Sequence, residues 1–119
     1  MDFNFTYIDL ANVRSISRGD LVKMRRYILQ FEELLTERLE LLREALEQKD
    51  RFQIRQITHK MIPQLKFFGV RDVSIPIGRL ELEFETMAMP ELKNLVDLII
   101  FKLNGALKEV QELSRQNID

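Results

Sequence analysis

The only histidine of the chain, His59, is its most evident candidate for chemistry. It lies in the stretch THKMIPQLKFFG (residues 58–69), and Pro63 follows it by four residues. A neutral imidazole carries a nucleophilic nitrogen, and it can also exchange protons or bind a metal. The flanking residues have helical periodicity, in which an interior proline costs roughly 3 kcal/mol. Either Pro63 is tolerated drift, or it bends the helix and frees the carbonyl of His59 from its hydrogen bond.

The helical wheel of this segment predicts that His59 is exposed. At about 100° per residue, its large apolar residues fall within one sector and His59 falls on the opposite side. That sector, the predicted core face, consists of Ile54, Ile57, Met61, Leu65 and Phe68. The face around His59 has enough apolar content to be a candidate docking surface. Its other members are Phe52, Arg55, Gln56, Ile62, Pro63 and Lys66.

Several kinds of histidine chemistry fit the sequence poorly. Zinc needs three or four ligands, and no ligand pair at i, i+4 spacing includes His59, so we expect no metal site. A Ser-His-Asp triad would need a nucleophile elbow, and the sequence has none. No phosphate-binding glycine loop is present, so we expect the chain to have no ATP site of its own. A surface histidine without any function stays open as an alternative.

The composition predicts a single folded domain over residues 1–119. Hydrophobic residues make up 45% and charged residues 31% of the chain, a balance that disfavours disorder. The net charge of −1 disfavours nucleic-acid binding, which would use Lys23, Arg25 and Arg26. Cysteines are absent, which fits a reducing compartment. With no apolar run near the ~20 residues of a membrane span and no basic signal-peptide region, we expect a cytoplasmic protein that does not bind membranes.

Apolar stripes at helical spacing predict five helices. A short one covers residues 7–13, and a long one, with Asp20 as N-cap, covers 21–48. The third, opened by Asp50 and closed at Gly69, contains His59, and two more cover 73–87 and the residues from 90 onward. The expected fold is all-α, an antiparallel four-helix bundle with a short extra N-terminal helix. Gly105 interrupts the last helix for no reason visible in the sequence.

The chain resembles the histidine-containing phosphotransfer (HPt) domain family over essentially its whole length. The family pattern is His-x-Leu-Lys-Gly-Ser-Ser, followed by a leucine and then a glycine ten residues after the histidine. His59 stands at the phosphoacceptor position, Met61 at the leucine, and Phe68 and Gly69 at the last two positions. Upstream, SRGDLVKMRRYILQFEELL is similar to the family's Gly-Asp opening of a long second helix. Downstream, RLELE matches its Leu-Glu in the fourth helix.

Two departures from the family pattern lie beside the histidine. The family's lysine is Ile62 here, and its glycine is Pro63. The lysine would help to neutralise the phosphoryl group, so Lys66 is the first candidate to replace it, followed by Lys60 and Arg55. The family's glycine would leave room for the partner to approach the imidazole, and a proline is larger.

The resemblance implies a phosphocarrier, not an enzyme, that relays a phosphoryl group through His59 between receiver-domain aspartates. The implied partners are a response-regulator receiver domain and a hybrid histidine kinase. Magnesium would come from the receiver, and the chain would need no cofactor. The implied receiver-docking surface consists of Phe52, Gln56, Ile62, Pro63 and Phe67. Phe67 could equally be buried against a neighbouring helix.

Two further questions stay open in the sequence. The main alternative to a phosphocarrier is a degenerate HPt-like bundle that docks with partners and has lost the chemistry along with the family lysine. A monomer is the default expectation, although an unpaired apolar stripe on the long second helix would allow a dimer.

Overall fold

The computed structural model describes residues 5–116, and this part of the chain forms five helices and no strand. They are α1 (Ala11–Ser17), α2 (Leu21–Glu47), α3 (Arg51–Phe67), α4 (Ser74–Glu83) and α5 (Met89–Arg115). The predicted all-α class is therefore confirmed. None of the helices in residues 5–116 combines the length and apolar content that a membrane crossing requires.

The apolar faces of the helices meet in one core. Helix α2 packs against α3 and α5, α4 packs against the same two helices, and α1 packs against α2. All five residues of the predicted α3 core face are buried. The apolar side of α5 is buried as well, and it consists of Leu92, Leu95, Ile99, Leu103, Ala106, Val110 and Leu113. Phe31 of α2 and Phe68 stack with ring centroids 4.1 Å apart, which joins α2 to the end of α3. Burial of this face leaves His59 on the outer side of α3.

The predicted caps hold the ends of the helices that position the site. The carboxylates of Asp20 and Asp50 each accept a backbone N–H from the third residue after them, at 3.1 Å. At the end of α3, Gly69 has a φ of +63°, which suits glycine. Its N–H donates to Lys66 O at 3.1 Å, and the next N–H donates to Leu65 O at 2.9 Å, which makes a Schellman motif.

A short N-terminal helix is present, but the predicted bounds of residues 7–13 are wrong, because α1 covers Ala11–Ser17. The backbone N–H groups of Thr6, Tyr7 and Ile8 donate to the carboxylate of Glu109 on α5, at 2.6–3.0 Å. These residues therefore form an irregular segment that lies along α5. A carboxylate on a distant helix satisfies backbone donors that the sequence pattern had assigned to a helix.

The fourth helix is shorter than the predicted 73–87, because α4 ends at Glu83. The chain after it turns, and the guanidinium of Arg51 donates to three of its carbonyl oxygens. They belong to Phe84 at 2.9 Å, Glu85 at 3.2 Å and Met87 at 2.7 Å. A cation on α3 thus satisfies acceptors that a longer helix would have satisfied internally.

Gly105 is explained by the N-terminal segment. A β-carbon at this position would lie 2.6 Å from two ring carbons of Tyr7, which is well inside van der Waals contact. The glycine lets the Tyr7 ring lie directly on the backbone of α5. A glycine in the helix interior lowers helix stability, but here it allows close packing with a segment about a hundred positions away along the chain.

Candidate functional site

The imidazole of His59 lies on the outer face of α3, and its side chain is 53% exposed. Its Nδ1 atom is 2.9 Å from the Oε1 atom of Glu81, a residue of α4. The other ring nitrogen, Nε2, makes no hydrogen bond with any residue in the described part of the chain. One edge of the ring is therefore held by Glu81, and the other edge has no hydrogen bond to residues 5–116.

The second carboxylate oxygen of Glu81 is held by Arg55, which lies one turn before His59 on α3. The Arg55 Nη2 and Nε atoms are 3.0 Å and 3.1 Å from Glu81 Oε2. The guanidinium also lies over the ring of Phe84, 5.8 Å from its centroid. Glu81 is thus fixed by one residue and orients another, in the order Arg55, Glu81, His59.

This arrangement selects the tautomer of the imidazole. An ionised carboxylate can only accept hydrogen bonds, so a proton on Nδ1 is needed to make the contact with Glu81. In the neutral ring, the lone pair is then on Nε2, which points away from Glu81. A carboxylate that orients a histidine through Nδ1 also stabilises positive charge when that ring reacts.

Arg55, Glu81 and His59 come together because helical periodicity places each of them on the side of its helix that faces the other helix or solvent. Arg55 and His59 are four residues apart, so both lie on the outer side of α3. Glu81 follows the buried Leu80 and faces α3, where it is mostly covered, with 21% of its side chain exposed. Thr58, beside the histidine, is fully buried, and its hydroxyl donates to Ile54 O at 3.2 Å.

The three predicted phosphoryl-stabilising cations occupy different environments. Arg55 is bound to Glu81, so its charge is already partly neutralised. Lys60 and Lys66 are exposed, and neither ammonium group has a hydrogen bond or an ion pair within residues 5–116. By helical periodicity, Lys66 lies on the His59 side of α3, two turns further on, whereas Lys60 lies about 100° round the helix.

The five predicted docking residues differ in exposure. Phe52 is 61% exposed and makes an edge-to-face contact with Phe84, with ring centroids 5.4 Å apart. Gln56 and Pro63 are exposed, and Ile62 is half-buried against the core. Phe67 is also half-buried, with its ring 5.3 Å from that of Tyr27 on α2. The apolar surface beside His59 is therefore formed mainly by Phe52, Pro63 and part of Ile62.

Sequence reasoning did not assign a role to Glu81, which makes the closest contact with the histidine. The sequence contained a signal, because Leu80 and Glu81 are the Leu-Glu of RLELE that matched the family pattern in the fourth helix. Its orientation toward His59 follows only from the packing of α4 against α3.

Residues 5–116 contain no group of three or more acidic, histidine or cysteine side chains arranged to hold a metal ion. Comparison of the chain with models of known protein families, with curated proteins and with solved structures found no match.

Proposed function

We propose that this protein is a histidine phosphocarrier of the HPt type. The observation that carries the proposal is the hydrogen bond between Glu81 and Nδ1 of the exposed His59, which leaves Nε2 as the nucleophile. In this proposal α2, α3, α4 and α5 form an antiparallel four-helix bundle, α1 is the extra helix, and the chain is one domain. The pairs in which the helices pack are compatible with that arrangement.

The transfer step uses the two edges of the imidazole differently. The Nε2 lone pair attacks the phosphorus of an aspartyl phosphate on a receiver domain. A nitrogen–phosphorus bond forms while the bond between phosphorus and the aspartate oxygen breaks, and the electron pair leaves with the carboxylate. Nδ1 keeps its proton, so the ring becomes a cation, and the carboxylate of Glu81 stabilises that charge. The reverse step delivers the group to a second receiver.

Charge on the phosphoryl group must be balanced during transfer. Ile62 is uncharged, so it cannot replace the family lysine in this role. The charge of Arg55 is partly neutralised, because Arg55 is bound to Glu81. Lys66 is the first candidate among the remaining cations, because it lies on the His59 side of α3 and its ammonium group is available. Magnesium would be held by the receiver domain. The proposed partners are receiver domains and a hybrid histidine kinase, which act in the cytoplasm.

The test is transfer of labelled phosphate from receiver domains to the purified protein. A panel of receivers is phosphorylated with acetyl phosphate, and acid-labile, base-stable label is measured on this chain. We expect label on the wild type and none on His59→Gln, with both proteins equally helical by circular dichroism. If no receiver in a broad panel transfers label to the wild type, the proposal is wrong.

A second candidate function is docking without chemistry. It is favoured by one observation, the replacement of the family lysine by Ile62, which packs against the core. In that case a receiver domain would bind the wild type and His59→Gln with equal affinity, and neither protein would become labelled.

A further inference from the structure

Gly78 is the one glycine of the chain whose presence nothing in the described structure explains. Gly19 and Gly69 have φ values of +79° and +63°, and Gly105 makes room for the Tyr7 ring. Gly78 lies inside α4 without a positive φ, and a β-carbon there would have no atom within 4 Å among the described residues. Glycine is the least favourable helix-interior residue apart from proline, so Gly78 is a candidate position for close approach by a partner.

The packing of α4 against α3 puts Gly78 beside the candidate site. Phe52 contacts Phe84, and His59 contacts Glu81, so the two helices run in opposite directions at this contact. One turn toward the start of α4 from Glu81 corresponds to one turn toward the end of α3 from His59. Gly78 therefore lies level with the residues one turn after His59. Gly78 is also one turn before Glu81, on the side of α4 next to the α3 surface.

Two large apolar residues flank Gly78 on the same outer face of α4. Ile75 is 84% exposed and Leu82 is 87% exposed, the highest values among the exposed large hydrophobic residues of the described chain. They are seven residues apart, which returns to nearly the same direction on a helix. Burial of Pro76, Ile77 and Leu80 on the opposite side of α4 turns this apolar row outward.

We propose that Ile75, Gly78 and Leu82 form the α4 half of the docking surface for the receiver domain, next to His59. This inference rests on the proposed phosphocarrier function. The missing side chain at Gly78 gives the partner room to approach the imidazole, and the two apolar residues contact the rim of its active site. The α3 half of the surface is provided by Phe52 and Pro63.

The charges around His59 indicate which partner fits. Lys66 on α3 has no acidic partner in residues 5–116, and Glu81 is already shared between Arg55 and His59. The unpaired charges on α3 near His59 are therefore the ammonium groups of Lys60 and Lys66, and this positive charge complements a domain whose active site carries a phosphorylated carboxylate. A transient encounter is expected to use a small interface.

Two substitutions test the surface against one matched control. Leu82→Glu places a charge in the proposed surface, and Phe101→Glu makes an equally drastic change at another exposed apolar residue, on α5. Gly78→Leu fills the proposed gap with a good helix former, so it does not threaten the fold. Circular dichroism and thermal unfolding verify that all three variants are folded.

Each variant is labelled with phosphate from two donors. The first is the receiver domain that transfers fastest to the wild type, and the second is phosphoramidate, a small donor that needs no docking surface. We expect Leu82→Glu and Gly78→Leu to lower transfer from the receiver at least tenfold, while labelling by phosphoramidate stays within about twofold. We expect Phe101→Glu to match the wild type with both donors.

The outcomes separate this inference from the function on which it rests. If the wild type is labelled by a receiver and the two α4 variants are labelled equally fast, the α4 docking surface is wrong and the phosphocarrier function stands. Equal losses with Phe101→Glu would also overturn the α4 surface. If no receiver labels the wild type, the phosphocarrier function fails first, and the α4 surface fails with it.

Discussion

At the scale of single residues, the contact between His59 and Glu81 determines what the site can do. Exposed ion pairs contribute about 0–1 kcal/mol to stability, so this contact adds little to the fold. We expect its consequence to be chemical, since the carboxylate can accept a hydrogen bond from the ring only when Nδ1 carries a proton. Arg55 supports it by holding the other oxygen of Glu81.

Glu81→Ala is expected to change the tautomer of His59 without unfolding the protein. Nitrogen-15 NMR of the imidazole reports which ring nitrogen carries the proton. We expect the wild type, at a pH where the ring is neutral, to be predominantly protonated on Nδ1. Loss of the carboxylate acceptor in Glu81→Ala should shift the population toward protonation on Nε2.

The control for this measurement is Glu85→Ala, which removes an exposed carboxylate from the turn after α4. Its imidazole spectrum should match that of the wild type. A tautomer population that is the same in Glu81→Ala and in the wild type would show that Glu81 does not orient the ring.

At the scale of elements, the ends of the helices depend on a few backbone positions with positive φ. Lys49 has a φ of +56° after α2, where Asp50 N donates to Ala45 O at 2.9 Å in the same type of cap as at Gly69. The left-handed conformation costs a non-glycine residue about 1–2 kcal/mol. The chain therefore carries this cost at the end of α2 and avoids it at the end of α3.

Lys49→Gly is expected to stabilise the protein by about 0.5–1 kcal/mol. Glycine removes the left-handed penalty, and its greater freedom in the unfolded chain offsets part of the gain. The midpoint of urea unfolding should rise with an unchanged slope.

At the end of α3, where the same cap already has a glycine, we expect the reverse substitution to destabilise the protein. Gly69→Ala should lose about 2 kcal/mol or more, because its new β-carbon would also lie 2.9 Å from the carbonyl oxygen of Asp9. If both variants moved the unfolding midpoint in the same direction, the conformational argument would be wrong.

At the scale of the whole molecule, the N-terminal segment closes one side of the core. Glu109 accepts three of its backbone N–H groups, Asp9 N donates to Phe68 O at 2.8 Å, and the Tyr7 ring lies on α5 at Gly105. These contacts join the beginning of the described chain to α5 and to the end of α3. The cap at the end of α3, the helix that contains His59, is therefore stabilised by residues near the start of the chain.

Gly78→Ala and Gly105→Ala make the same substitution in the interiors of two different helices. We expect them to have opposite effects on the free energy of unfolding. Alanine is favoured over glycine by about 1 kcal/mol in a helix. At Gly78 the β-carbon meets open space, so stability should rise by up to about 1 kcal/mol.

At Gly105 the β-carbon meets Tyr7, and overpacking costs about 1–3 kcal/mol, so stability should fall. Amide hydrogen exchange of Thr6, Tyr7 and Ile8 should also become faster in Gly105→Ala only. Stabilisation of both variants would mean that the ring of Tyr7 can leave α5 without cost.

Sequence patterns were sufficient to predict the helical class, the core face of α3, the aspartate caps and the exposure of His59. These features depend on periodicity and on contacts within three or four residues, so they can be derived from neighbours along the chain. Tertiary packing decided the rest. Glu81 approaches His59 from 22 positions away, and Glu109 binds the N-terminal backbone from 101 to 103 positions away. Local patterns carry no information about which distant carboxylate will satisfy a donor, so the N-terminal helix was misplaced and the residue that orients the histidine was not identified.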